Sequence, residues 1–125
     1  MSSDWSFLLA LAESEANRTI QSLPSALRES ARHLPVSLER RPGKALRDEG
    51  IEPDTLGLFV GAPFSEAGTT TAPLPAQVIL FLENIWEMAE EDESTYGAEV
   101  RSTLLHELGH YLGLDETDLE ERGLD

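Results

Sequence analysis

The sequence predicts a small α+β fold: a sheet of about three strands, packed by N-terminal helices and by one long helix near the C-terminus. Three observations predict it. Residues 1–32 carry apolar side chains at helical spacing, with Trp5, Leu8, Leu9, Ala12, Ala16 and Ile20 recurring along one face. Between 34 and 82, three short apolar runs alternate with segments rich in proline and glycine. From 95 to 113 the period returns to that of a helix. With 125 residues, the chain has the length of one domain with a modest core, read here as 1–125.

Each element has its own reason. Ser2, Ser3 or Asp4 is placed to cap the first helix. Pro24 lacks an amide hydrogen, so it breaks the helical run or opens a second short helix, Ser25 to Arg32. In Leu34 to Glu39, Leu34, Val36 and Leu38 alternate with polar partners as in a half-buried strand. Pro35 makes it an edge strand or a strand start. Arg40 to Pro53 is a linker holding Arg40, Arg41, Lys44 and Arg47. Such a cluster either grips a carboxylate or forms a solvated loop or short helix. Leu56 to Val60 is a second strand, closed by Gly61-Ala62-Pro63, and residues 64–75 have the composition of a loop. Gln77 to Leu82 is almost continuously apolar and is the expected central strand.

Ile85, Trp86, Met88 and Ala89 indicate a short helix. The acidic run Glu90 to Glu93 after it is expected to be solvated. Thr95 to Leu112 is the long helix, with Ser94 as a possible cap. Thr117 to Arg122 is read as a short terminal helix.

The long helix carries the chemistry. His106-Glu107-Leu108-Gly109-His110 places two imidazoles one turn apart, so both can bind one metal ion. At about 100° per residue, with His106 at zero, His110 falls near 40° and Glu107 near 100°. Val100, Leu104, Leu108, Tyr111 and Leu112 fall between about 120° and 240°. The polar arc is thus separate from the apolar one. A lone helical histidine is usually packed or solvated; two histidines and a glutamate sharing an arc away from the core are not explained by packing. Glu107 can take a proton from a water that the metal activates.

Gly113 suits the left-handed residue that ends the helix, after which the chain turns back toward the metal face. Thr117-Asp118-Leu119-Glu120 fits a capping box, which leaves Glu116 outside the helix and free to act as third ligand. Asp115 is the rival, and a two-histidine site completed by water is the other alternative. One zinc ion per chain suits two imidazoles and a carboxylate. Tyr96 is a candidate oxyanion donor. His33 is expected on the surface.

The formal charge of −15 argues against nucleic acid and anionic membranes as partners, and favours cations. No cysteine is present, which rules out thiolate ligands and fits a reducing cytoplasm. The apolar stretch Phe7 to Ala12 is short, lacks a basic start and runs into Glu13 and Glu15, so it is read as a helix face and not as a leader.

Leu104 to Leu114, with Asp118-Leu119-Glu120-Glu121, resembles the small bacterial zincin-like metallopeptidases. Leu56 to Pro63 is similar to that family's strand and turn, and Gln77 to Leu82 to its central strand. The resemblance covers roughly residues 45–124 and implies a compact α+β fold with one zinc. The family pattern usually has aspartate where this chain has Glu116. The expected activity is hydrolysis of peptide bonds in a peptide or unfolded protein, laid in extended form along a strand edge near Leu82. The alternatives are a metal-binding interaction domain without catalysis, or a hydrolase of a non-peptide amide.

Overall fold

A computed structural model describes residues 4–61, 76–114 and 117. Among these, helices α1 (Trp5–Gln21) and α2 (Ser25–Ala31) precede strand β1 (Val36–Glu39). Helix α3 (Lys44–Asp48), strands β2 (Gly57–Val60) and β3 (Gln77–Phe81), and helices α4 (Leu82–Met88) and α5 (Glu93–Leu112) follow. The apolar stretch Phe7 to Ala12 lies within α1, as expected of a helix face, and Asp4 caps that helix by accepting from the Ser6 amide. Ser2, Ser3, the 64–75 loop and the 118–122 part of the terminal helix lie outside the described residues.

The sheet has the order β1-β3-β2. β1 runs parallel to β3, with Val36 opposite Val78, and β2 runs antiparallel, with Gly57 opposite Leu80. β3 is central, as its unbroken apolar run predicts. A strand covered on both faces needs no polar alternation, and Val78, Ile79, Leu80 and Phe81 are all buried. Pro35 stands at the start of edge strand β1, where its carbonyl accepts from the Val78 amide at 3.0 Å.

The helices cover one face. Leu8, Ala12 and Ala16 of α1 pack with Tyr96, Val100, Leu104 and Leu108 of α5 and with Ile85 of α4 in one apolar cluster. The strand expected to reach Leu82 ends at Phe81, and Leu82 opens α4 fully buried. An apolar run alone does not mark where strand becomes helix. Leu82 therefore offers no edge to an extended peptide.

α4 and α5 are joined by a tight turn. Glu90 (φ 56°) and Glu91 (φ 59°) both adopt left-handed backbone, which is costly for residues with a Cβ. The amides of Glu90 and Glu91 donate to the carbonyls of Glu87 and Trp86, each at 3.0 Å, and secure the turn. α5 begins two residues before the expected start, and its cap is Asp92, not Ser94. The Asp92 carboxylate accepts from the Thr95 amide at 2.9 Å and from its hydroxyl at 2.8 Å. These two bonds, the backbone one first, hold the Asp92 pKa below its ordinary value. The capping contribution is thus present above the normal aspartate pKa and is lost only as pH falls through the lowered one.

The basic linker serves the fold. Arg40 Nη1 lies 2.9 Å from Glu83 Oε2, and its guanidinium sits 4.7 Å over the Trp5 ring. Arg41 bonds Glu83, Glu87 and the Asn84 side chain. These contacts tie the segment after β1 to α4, so Arg40 and Arg41 are engaged within the chain and do not form an open carboxylate grip.

Candidate metal centre

α5 positions the site through its own periodicity. Its apolar face (Val100, Leu104, Leu108 and Tyr111) is buried against the sheet and α1. The Tyr111 ring meets Phe59 of β2 at 5.7 Å. Burying that face turns His106, Glu107 and His110 to one side. One ligand atom from each of the three falls within 4.8 Å of the others. The imidazole centroids are 4.7 Å apart. Both histidines are exposed, whereas Glu107 is 7% exposed.

Glu107 is the unusual member. Its Oε2 lies 3.3 Å from His110 Nδ1, within ion-pair range. The alignment there is not that of a hydrogen bond, and Oε2 has no hydrogen-bond partner among the described residues. Burying a carboxylate oxygen without a donor is unfavourable, and such an atom calls for a cause other than stability. Two imidazoles and a nearby carboxylate are donors that zinc accepts. The residues present therefore fit a metal ion.

Beside Glu107 is a cavity of about 450 Å³ lined by Leu56, Gly57, Ser102, Thr103, His106 and Glu107. Sequence reasoning missed four of these, Leu56 and Gly57 of the strand segment and Ser102 and Thr103 of the helix. Ser102 and Thr103 stand one turn before His106 and Glu107, so the helical spacing that grouped the motif also reaches them. Gly57 carried no such signal. A Cβ there would lie 2.6 Å from Thr103 Cγ2, 3.3 Å from Leu80 and 3.4 Å from Glu107 Cγ. Only glycine lets β2 run this close to the helix.

Gly113 ends α5 at φ 74°, ψ 26°, the left-handed conformation its position predicts, and the Leu114 amide returns to the Gly109 carbonyl at 2.7 Å. Asp115, Glu116 and Asp118 lie outside the described residues. His33 is exposed and accepts from Arg32 Nε at 3.2 Å, away from the metal centre.

Tyr96 is not an oxyanion donor. It is completely buried, and its hydroxyl donates to the Leu8 carbonyl at 2.8 Å. Burial pushes its pKa up, so the phenol stays neutral and joins α5 to α1. Tyr96→Phe is expected to lower stability by about 1–2 kcal/mol, because a buried hydrogen bond between α5 and α1 is lost. Zinc affinity is expected to stay at the parent level. Thermal unfolding alongside a zinc titration checks both; a large loss of affinity with no loss of stability would restore Tyr96 to the site.

Among the described residues, no helix is long and apolar enough to cross a membrane. No curated protein matches the chain. A family model described as zincin-like metallopeptidase matches residues 31–124, from the end of α2 past α5. That match spans well over half of the sequence and includes the His-Glu-His group, and the chain belongs to the zincin-like metallopeptidase family.

Proposed function

We propose that the protein is a zinc-dependent metallopeptidase that hydrolyses peptide bonds in peptides or unfolded proteins, with Glu107 as general base. His106 and His110 would hold one zinc ion per chain, with Glu116 as the third protein ligand. When bound, zinc supplies Lewis-acid chemistry that makes water acidic enough to lose a proton near neutral pH.

Glu107 accepts that proton and delivers it to the leaving amide nitrogen. Its position in the wall of the cavity it shares with His106 would bring the carboxylate to the reacting water. The scissile peptide would lie along β2, which ends the sheet order among the described residues, a reading supported by Leu56 and Gly57 lining the cavity beside Glu107. This replaces the strand edge near Leu82.

The observation that carries the proposal is the Glu107 carboxylate: buried, unmatched at Oε2, and walling the same cavity as His106. A domain that only bound metal would need the two histidines but not this glutamate. Loading with zinc, followed by incubation with a mixed peptide pool with and without chelator, tests it. Chelator-sensitive cleavage is expected; none over a broad pool favours the non-catalytic domain.

The ligand set has its own test. Elemental analysis is expected to give about one zinc per chain, and His106→Ala to bind substoichiometrically. Glu116→Ala is expected to weaken zinc at least about tenfold, with Asp115→Ala near the parent. A loss confined to Asp115→Ala would reassign the third ligand. Equal small losses would leave a two-histidine site completed by water.

A further inference from the structure

The space beside Glu107 does not stop at the metal centre. Leu56 walls that cavity and also lines a second, larger one of about 590 Å³, bounded by Arg41, Asp54, Asn84, Glu87 and Met88 among others. Leu56 is the residue the two linings share, and the second cavity lies on its α4 side.

We propose that this second cavity is a subsite for a long basic side chain, lysine or arginine, of the peptide whose backbone lies at Glu107. The proposal rests on the peptidase assignment above and adds the substrate class.

Charge is the first argument. Asp54 and Glu87 line the second cavity and Glu107 the first, against one guanidinium, that of Arg41. Arg41 is already committed: Nε lies 3.3 Å from Glu83, and Nη1 lies 3.0 Å from Glu87 Oε2 and 2.7 Å from Asn84 Oδ1. Asp54 has no ion-pair partner among the described residues, whereas the Glu87 carboxylate is shared with Arg41. A guest cation therefore meets the unpaired carboxylate of Asp54 beside a Glu87 shared with Arg41, and a guest carboxylate meets net repulsion.

Shape and anchoring agree. Leu56 and the exposed Met88 supply apolar contact for methylene groups leading to the charged tip. Asp54 is held in place from both sides, since Asn84 Nδ2 donates to the carbonyls of Pro53 at 2.8 Å and Thr55 at 2.9 Å. Asn84 is 4% exposed, so this anchor is rigid. The net charge of −15 draws basic peptides toward the chain at long range.

The test uses binding, so it does not depend on turnover. Zinc-loaded Glu107→Gln protein is titrated with a hexapeptide series in which lysine is stepped through the positions. Matched series carry norleucine or glutamate. One lysine position should bind about fivefold tighter than norleucine at low salt, and glutamate there should bind weakest. The preference should shrink at high salt and fall toward one in the Asp54→Asn/Glu87→Gln double variant, since both positions are solvent-facing and replaceable without repacking. Equal binding of the three series would overturn the subsite while leaving the peptidase assignment in place, as would a lysine preference that survives the double variant. Failure of every peptide to bind would overturn both.

Discussion

Glu107→Gln is expected to keep one zinc per chain and to lose peptide hydrolysis by about 10³–10⁴-fold, the upper part of what a general base supplies. The amide has the carboxylate's shape but cannot take a proton from water. It is not assigned as a ligand, so the metal should remain. A second consequence follows from burial. Glu107 is 7% exposed and its Oε2 lacks a hydrogen-bond partner among the described residues, so the parent carries a poorly compensated charge. Removing that charge should leave the variant at least as stable as the parent, the pattern of a residue kept for activity at the expense of stability. Zinc content, turnover on a cleaved peptide and thermal unfolding give the three readouts. Near-parent turnover would refute the assigned role. Lost zinc would make Glu107 a ligand instead.

Asn84→Ala is expected to produce the largest loss of stability among the polar variants, about 2–3 kcal/mol, or roughly 10 °C in Tm for a chain of this size. The Asn84 side chain makes three bonds, two to the carbonyls of Pro53 and Thr55 and one from Arg41. Truncation strands part-buried carbonyls and frees the segment that leads into Leu56 and Gly57. Chemical denaturation measures the first effect. A shift within about 0.5 kcal/mol of the parent, the range of ordinary surface changes, would show that water replaces the amide without penalty.

The fold and half of the centre were legible because their signals are local. His106, Glu107 and His110 share an arc of one helix, and Gly113 marks its end by chemistry that needs no tertiary information. The central strand was legible because a run without polar interruption is hard to bury any other way. Tyr96 shows where such reasoning fails. It lies at about 80° on the same helical wheel, inside the His/Glu arc. The wheel discards height: ten residues place it about 15 Å along the axis, where α1 covers that arc and the Leu8 carbonyl takes its hydroxyl. α1 itself precedes the family match. The cap was misplaced because Asp92 and Ser94 are both competent acceptors, and only the turn at Glu90 and Glu91 decides between them. Gly57 had no local signal, since its role comes from a helix that follows it by some fifty positions.

That glycine divides the cleft into two regimes of mutational tolerance. Around Gly57 and Thr103 the protein is brittle: strand and helix nearly touch, and any added carbon displaces the wall that holds Glu107. Around Asp54, Glu87 and Met88 it is plastic, because those side chains face solvent and support no packed layer. Under the proposed function, selectivity would be rewritten at the outer end without disturbing Glu107, and an engineer seeking new guests for this scaffold would randomise Asp54, Glu87 and Met88 and leave Gly57 and Thr103 untouched.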